Sequence, residues 1–378
     1  MEHHQVLIVG GGPAGSSCAK RLGRRGVDVL VLDKQTFPRD KTCAGWVTPP
    51  VFDALGIDPA DYPADNVLQS ITGFRTGLLG GREVQTQYDK VVSYGIRRCE
   101  FDHFLLQRCG APTRLGEPLK SLERDGNGWI ANGEIHADLV VGAGGHFCPV
   151  ARRLGNRKQP QASVVAAQEI EFEVSPEKLD QGSIAGETPE LFFCRDLQGY
   201  GWCFRKGNYL NIGLGRVDRD RLSEHVADFC RFLRLSGKVA CEIPQKLHGH
   251  AYQLYERINP TLCDDGVLLI GDAAGLSYPQ SGEGIRPAVE SALMAADVIH
   301  AADGRYTKDR LADYAARIVQ RFGKPRSTAI ADHLPHGMLR FLATRLMASR
   351  WFARRVVLDR WFLHATDPPL PEPRRNPE

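Results

Sequence analysis

No two of the ten cysteines form a CxxC pair, so the chain carries neither a zinc-ligand spacing nor the framework of a small disulfide-stapled fold. No apolar run reaches transmembrane length. None reads as a signal peptide either, because the run from Val6 leads straight into glycines. Free thiols in a reducing cytoplasm are therefore expected. A strong excess of charge is also lacking: +3 over 378 residues gives no argument for nucleic-acid binding. There is no internal repeat. What remains is a composition 42% hydrophobic and 25% charged, that of a globular chain long enough for two or three structural units.

The first segment reads strand, glycine turn, helix, strand. Val6-Leu7-Ile8-Val9 suits a strand covered on both faces, Ala14 to Arg25 has helix-forming composition, and Gly26 is placed to end that helix. Val27 to Leu32 forms a second apolar strand that stops at Asp33, completing a βαβ unit and implying a parallel sheet. Leu139-Val140-Val141 runs into Gly142-Ala143-Gly144-Gly145, and Val267-Leu268-Leu269-Ile270 runs into Gly271-Asp272. Three such strands, far apart in sequence, are best placed side by side with their carboxyl ends toward one ligand. Between Ser163 and Arg216, short apolar stretches separated by glycine-bearing turns predict an antiparallel sheet, with an amphipathic helix over 221–235 lying on it. From Glu283 onward the chain reads as helical, and Pro368 to Glu378 as a frayed end.

Gly10-Gly11-Gly12-Pro13-Ala14-Gly15 fits the dinucleotide fingerprint at Gly10, Gly12 and Gly15. These glycines serve the tight turn, the approach of a pyrophosphate and close helix–strand packing, and the helix dipole favours the phosphates at Pro13 and Ala14. Asp33, followed by Lys34, ends the second strand where a carboxylate can accept hydrogen bonds from a ribose. The fingerprint does not separate FAD from NAD. Gly271-Asp272, followed by Gly282-Glu283-Gly284-Ile285, points to FAD: a carboxylate there can bind ribityl hydroxyls, and the glycines admit the ring edge. Read alone, Asp272 is as well explained as a helix cap.

These segments, with Arg98-Cys99-Glu100-Phe101-Asp102 and Tyr200-Gly201-Trp202-Cys203-Phe204-Arg205-Lys206-Gly207, resemble the geranylgeranyl-reductase branch of the FAD-dependent group that also holds aromatic hydroxylases and flavin halogenases. The resemblance runs from about Val6 to Val319. It implies that Arg98 contacts the cofactor and that the sheet with its aromatic segment covers the substrate pocket. Two departures stand out. Gly144 occupies the acid position of the hydroxylases, leaving NAD(P)H or a protein as the electron donor, and Arg205 stands where the branch usually has proline. The W-x-W-x-I-P segment of halogenases is absent.

By the same resemblance, Lys41-Thr42-Cys43-Ala44-Gly45-Trp46 crosses near the flavin ring. Cys43 is a candidate to line the active site and tune the flavin or give a proton; the plainer reading is a small buried thiol. Cys148, Cys203 and His146 carry less weight, the histidine being read as a loop cap. Tyr200, Trp202 and Phe204 alternate along a strand and are expected to form one wall, with Trp202 lining the pocket. The stretch 335–364 sets Arg340, Arg345, Arg350, Arg354, Arg355 and Arg360 among aromatics. We read it as helices packed on the body with arginines snorkelling outward, the alternative being a surface for a membrane or an anionic partner.

The fold expected is α/β: a Rossmann-like FAD-binding domain with an inserted antiparallel β-sheet substrate domain and a helical C-terminal extension. The divisions are 1–60, 95–160 and 262–325 for FAD, 61–94 and 161–261 for substrate, and 326–378 for the extension. The function expected is an FAD-dependent oxidoreductase with non-covalent FAD, acting on a bulky, largely apolar small molecule or a peptide and served by an electron-donor protein or NAD(P)H. The resemblance implies double-bond reduction. A monooxygenase is the alternative, and an electron carrier with a protein partner the second.

Overall fold

The computed structural model of the chain describes residues 1–126, 128–155, 164–217, 221–255, 261–323 and 343–370. The continuous apolar runs become the middle of a mainly parallel sheet. Val267–Leu269, Ile135–Gly142, Glu2–Val9, Val29–Asp33 and Thr113–Leu115 lie side by side in that order, with Val6 paired to Leu139 and Val29, and Val140 to Val267. Both faces of these strands are covered, so Val6, Leu7 and Ile8, Leu139, Val140 and Val141, and Leu268 and Leu269 are all fully buried. The helix Pro13–Gly23 packs against one face and against a second helix, Ile285–Ala301. Gly15 makes that approach possible: a Cβ there would overlap the Gly10 carbonyl oxygen.

A second sheet runs in the order His248–Gln253, Val164–Glu173, Tyr209–Arg216, Gly199–Lys206, Glu190–Phe193, Gly73–Leu78, Glu83–Gln87. It is antiparallel except where Glu190–Phe193 pairs in parallel with Gly73–Leu78, two strands from well-separated stretches of chain. The helix Leu222–Leu235 lies on one face, burying Val226, Phe229 and Leu233 against Phe192, Cys203 and Ile212. The other face buries Trp46, Phe74, Leu191, Trp202 and Phe204. A three-stranded sheet of Trp46–Val47, Ser93–Ile96 and Leu68–Ile71 adjoins it.

Near the carboxyl end, a short helical turn at Arg350–Phe352 leads into a wide, π-type helix over Ala353–Phe362. Ala353, Val357, Leu358 and Phe362 are fully buried, and Phe362 meets Trp46, Phe193 and Tyr200 edge-on. Arg345, Arg350, Arg354, Arg355 and Arg360 face outward, as does Trp351. Arg340, the start of this stretch at Pro335 and the end from Pro371 lie outside the described residues. No helix among the described residues is long and apolar enough to cross a membrane.

Candidate functional site

The strand ends and the second sheet enclose a cavity of about 650 Å³, within the span usual for ligand sites, roughly 300–1,000 Å³. Gly10, Gly12, Pro13, Ala14, Asp33, Lys34, Cys43, Arg98, Trp202, Asp272, Gly282, Gly284 and Ile285 all line it. Of the expected site residues, only Gly15 and Gly271 stand behind the wall, and both act through packing. Gly271, at φ +58°, leaves room for Ala14 and Ala288: a Cβ would sit 3.2 Å from the Cβ of each. A smaller adjoining pocket of about 210 Å³ extends past Asp33 and Lys34 to Glu117, Phe147 and Arg152.

At the fingerprint end, Gly10 holds φ +120° with Ala143 and Gly144 pressed against it, so no side chain fits there. Gly12 differs: the nearest atom to a Cβ would be Arg39 Nη2 at 3.4 Å, which leaves its backbone open to the cavity. Asp33 braces this loop, accepting from Gly11 N at 2.6 Å through Oδ2 and from Gln35 N at 2.8 Å through Oδ1. The sequence reading gave Asp33 a ribose contact and missed this second duty. It also missed Arg39. Asp102, fully buried, takes a bidentate bond from Arg98 at 2.8 Å and a contact from Arg39 Nη2 at 3.1 Å, fixing both arginines at the cavity. Arg39 Nη1 is buried with no hydrogen-bond partner. An open glycine backbone, a helix start and an orphaned guanidinium N–H together fit a bound pyrophosphate.

At the far end, Asp272 Oδ1 accepts from Ser277 Oγ at 3.0 Å and crowds Gly284, where a Cβ would lie 2.9 Å from it. The helix expected to start near Glu283 starts at Ile285, and Gly284 is its N-cap residue. Gly282, at φ +66°, gives its side-chain space to the Tyr252 ring. A carboxylate with an unused oxygen beside a helix start, walled by Tyr252, fits the ribityl and ring end of a flavin.

Beyond this end, Ala44, Trp46, Tyr200, Trp202 and Tyr252 wall the cavity. Of the three aromatics expected to form one wall, Phe204 does not: it is 1% exposed beneath Trp46, ring centroids 5.8 Å apart. Strand parity placed it on the correct face, but the short strand carrying Trp46 covers that end. Trp202 is held by a polar network that sequence reasoning missed. Its Nε1 donates to Asn211 Oδ1 at 2.8 Å, and Asn211 Nδ2 donates to Glu169 Oε2 at 2.6 Å and to the Cys43 carbonyl at 3.1 Å. Glu169 Oε1 accepts from Cys43 N at 3.1 Å, and fully buried Lys206 donates to the carbonyls of Ala44 and Ile96. Burial pushes the Glu169 carboxyl up to about 7 against the pull of Lys206. Cys43 is thereby pinned to the cavity wall, its Sγ accepting from Gly45 N at 3.4 Å. Cys148 and Cys203 are buried in packing, and all ten cysteines are free thiols. His146 lines the cavity, edge-on to Phe147 at 4.7 Å.

Comparison with known proteins agrees with this geometry. Residues 3–323 match the protein family described as FAD binding domain. The chain is 30% identical over 331 residues to digeranylgeranylglycerophospholipid reductase 1 of Methanosphaera stadtmanae, covering 82% of this chain and 78% of that one. It is 28% identical over 361 residues to menaquinone reductase of Mycobacterium tuberculosis, covering 90% and 85%. In fold it is similar to a geranylgeranyl bacteriochlorophyll reductase-like protein from Thermoplasma acidophilum, with a TM-score of 0.74 and 21% identity over 92% of this chain and 88% of that one.

Proposed function

The chain belongs to the FAD-binding-domain family and is an FAD-dependent oxidoreductase; from that premise we propose that it saturates carbon–carbon double bonds of a bulky, isoprenoid-like substrate. The observation that carries this reading is the single cavity running from the glycine loop to an aromatic chamber lined by Trp46, Tyr200, Trp202 and Tyr252. A cofactor needs the first part, and only a large apolar ligand repays the second. The two relatives, whose names point to a geranylgeranyl lipid and to a quinone, support the same substrate class.

In this proposal Gly10, Gly12, Pro13, Ala14 and Gly15 hold the pyrophosphate together with Arg39 and Arg98. Asp33 and Lys34 meet the adenosine, while Gly271 and Asp272 meet the ribityl chain. Gly282, Gly284 and Ile285 border the ring, and Cys43 and Trp202 flank the reacting bond. When bound, FAD supplies the electron pair; the chain orients the substrate, excludes water and manages the proton. Gly144 leaves no carboxylate beside the phosphates, so we assign reduction of the flavin to a protein donor in preference to free NADPH. The arginines of 345–360 and Trp351 offer the surface for such a donor or for a membrane.

The test is anaerobic. FAD-loaded protein is reduced by dithionite, mixed with a geranylgeranyl lipid or a menaquinone, and followed by the flavin band and product mass. Reoxidation coupled to a gain of two hydrogens is expected. A product that gains one oxygen atom, and only in air, would establish a monooxygenase instead. Comparing the rates of bleaching by NADPH and by a ferredoxin-like protein tests the donor assignment.

A further inference from the structure

Saturating a double bond needs two hydrogens of different origin. If the reductase reading holds, the cofactor brings a hydride to one carbon, and some group of the protein must protonate the other. The cavity presents several titratable side chains. Tyr200 gives its hydroxyl to the Ser281 carbonyl, and burial pushes both Tyr200 and Tyr252 well above the ordinary phenol range, so their protons are held too tightly. Glu283 also borders the cavity, but both of its carboxyl oxygens are closed to solvent and have no hydrogen-bond partner, so no group stands ready to return a proton to it. Asp272 is bonded to Ser277 at the cofactor end.

Lys41 is placed differently. It lines the cavity two residues before Cys43, and its Nζ lies 2.7 Å from Nε2 of His250, which also lines the cavity. His250 sits on His248–Gln253, the outermost strand of its sheet, and is only partly buried. We propose that Lys41 is the catalytic acid of this site and that His250 is the relay that returns its proton. With FAD bound and reduced, the cofactor would supply the hydride for one new C–H bond as the double bond opens, and the pair of electrons left on the adjacent carbon would take a proton from Lys41 Nζ. Once Lys41 is neutral, His250 exchanges its Nδ1 proton for one on Nε2 through solvent; Nε2 then gives that proton to the amine as Nδ1 takes one from solvent, and the ring ends neutral with Nε2 again free to accept from the ammonium.

The surroundings suit this chemistry. Lys41 faces Arg98 and Asp102 on the helix Arg98–Gln107, Asp272 across the cavity, Cys43 on its own loop and His250 on the edge strand. Burial and Arg98 bring its ammonium down to about 8, close to the working range of a general acid. Burial and the nearby cations hold His250 far below its usual value, so it is a neutral imidazole able to accept. Lys41 is charged below about pH 8 and a donor there; turnover falls as pH rises through that value.

The experiment combines kinetics with direct titration. In wild-type protein, competitive amine labelling followed by peptide mass mapping should show Lys41 gaining reactivity near pH 8, about two units below a surface lysine. Lys41→Met should keep its FAD content and its bleaching by dithionite, yet lose about 10²–10⁴-fold in single-turnover saturation together with the alkaline limb. Lys41→Arg should move the limb upward. His250→Gln should keep the single-turnover rate and slow only steady-state turnover. Glu283→Gln should leave the limb in place; its disappearance there would reassign the acid. A wild-type protein that saturates no isoprenoid double bond sinks the reductase reading itself. A wild type that does, with Lys41→Met unchanged in rate and limb, sinks the assignment of Lys41 alone.

Discussion

At the scale of the residue, two glycines of one motif answer to different forces. Gly15 faces the Gly10 carbonyl at a distance no Cβ tolerates, whereas Gly12 faces open cavity. Gly12→Val should therefore leave the apo protein folded while FAD content falls below detection, and Gly15→Val should fail to fold; circular dichroism and bound-flavin absorbance separate the two. The buried acid Glu283 gives a pH test. Burial raises its carboxyl to about 8, so the fold favours the neutral form. Its contribution is fully present below the ordinary carboxylate range and is lost as pH rises through about 8. Urea unfolding of wild type should weaken over that interval, and Glu283→Gln, neutral throughout, should flatten the profile. An unchanged slope in the variant would rule out Glu283 as the titrating group.

Glycines and aspartates could be read in advance because each owes its place to its own backbone: a turn, a helix start, a strand end. Arg39, Glu169, Asn211 and Lys206 owe theirs to elements distant in sequence. Asn211 reaches Glu169 only because Ile212 pairs with Ile170, a register that no local pattern records. The signal available was thin: Glu169, Glu171 and Glu173 alternate along a strand whose other residues, Gln168 apart, are apolar, and buried charge in such a setting is a warning of a network.

At the scale of the element, periodicity identified the long strands and helices and failed on short or covered ones. Val6–Val9, Leu139–Val141 and Val267–Ile270 are continuous apolar runs and declare themselves buried. Trp46–Val47, two residues long, has no period to read, yet its tryptophan decides which part of Gly199–Lys206 meets the cavity. The wide helix Ala353–Phe362 was legible as helical and packed on the body with its arginines outward, but not as the backing of the aromatic chamber. Phe362 is fully buried against Trp46, Phe193 and Tyr200. Phe362→Ala should cost about 3–5 kcal/mol of stability, and it should also loosen Tyr200, broadening the range of substrates accepted. The check is denaturant unfolding alongside a series of isoprenoid chain lengths. Loss of stability with unchanged chain-length preference would confine Phe362 to packing.

At the scale of the whole molecule, the cavity has no owner: the glycine loop and Asp272 come from the parallel sheet, while Tyr200, Trp202, His250 and Tyr252 come from the second. A ligand filling it bonds to the native arrangement and to nothing in the unfolded chain, so its binding free energy adds to stability. FAD at a hundredfold excess over its dissociation constant should add about 2.7 kcal/mol and raise the melting temperature of the apo protein accordingly. The contributions of the two ends should be separable. Asp272→Ala removes an acceptor from one end and should forfeit about 1.5–3 kcal/mol of cofactor affinity while leaving the apo melting temperature nearly unchanged. No cysteine or histidine lies within Gly10–Gly15 or within Gly271–Ile285, so no covalent link to the flavin is expected there. Acid or heat should release intact FAD into the supernatant, where its fluorescence and chromatographic mobility identify it. A yellow pellet that keeps its flavin after denaturation, or a protein whose melting temperature ignores added FAD, would mean that the cofactor is not held across the two sheets as the cavity requires.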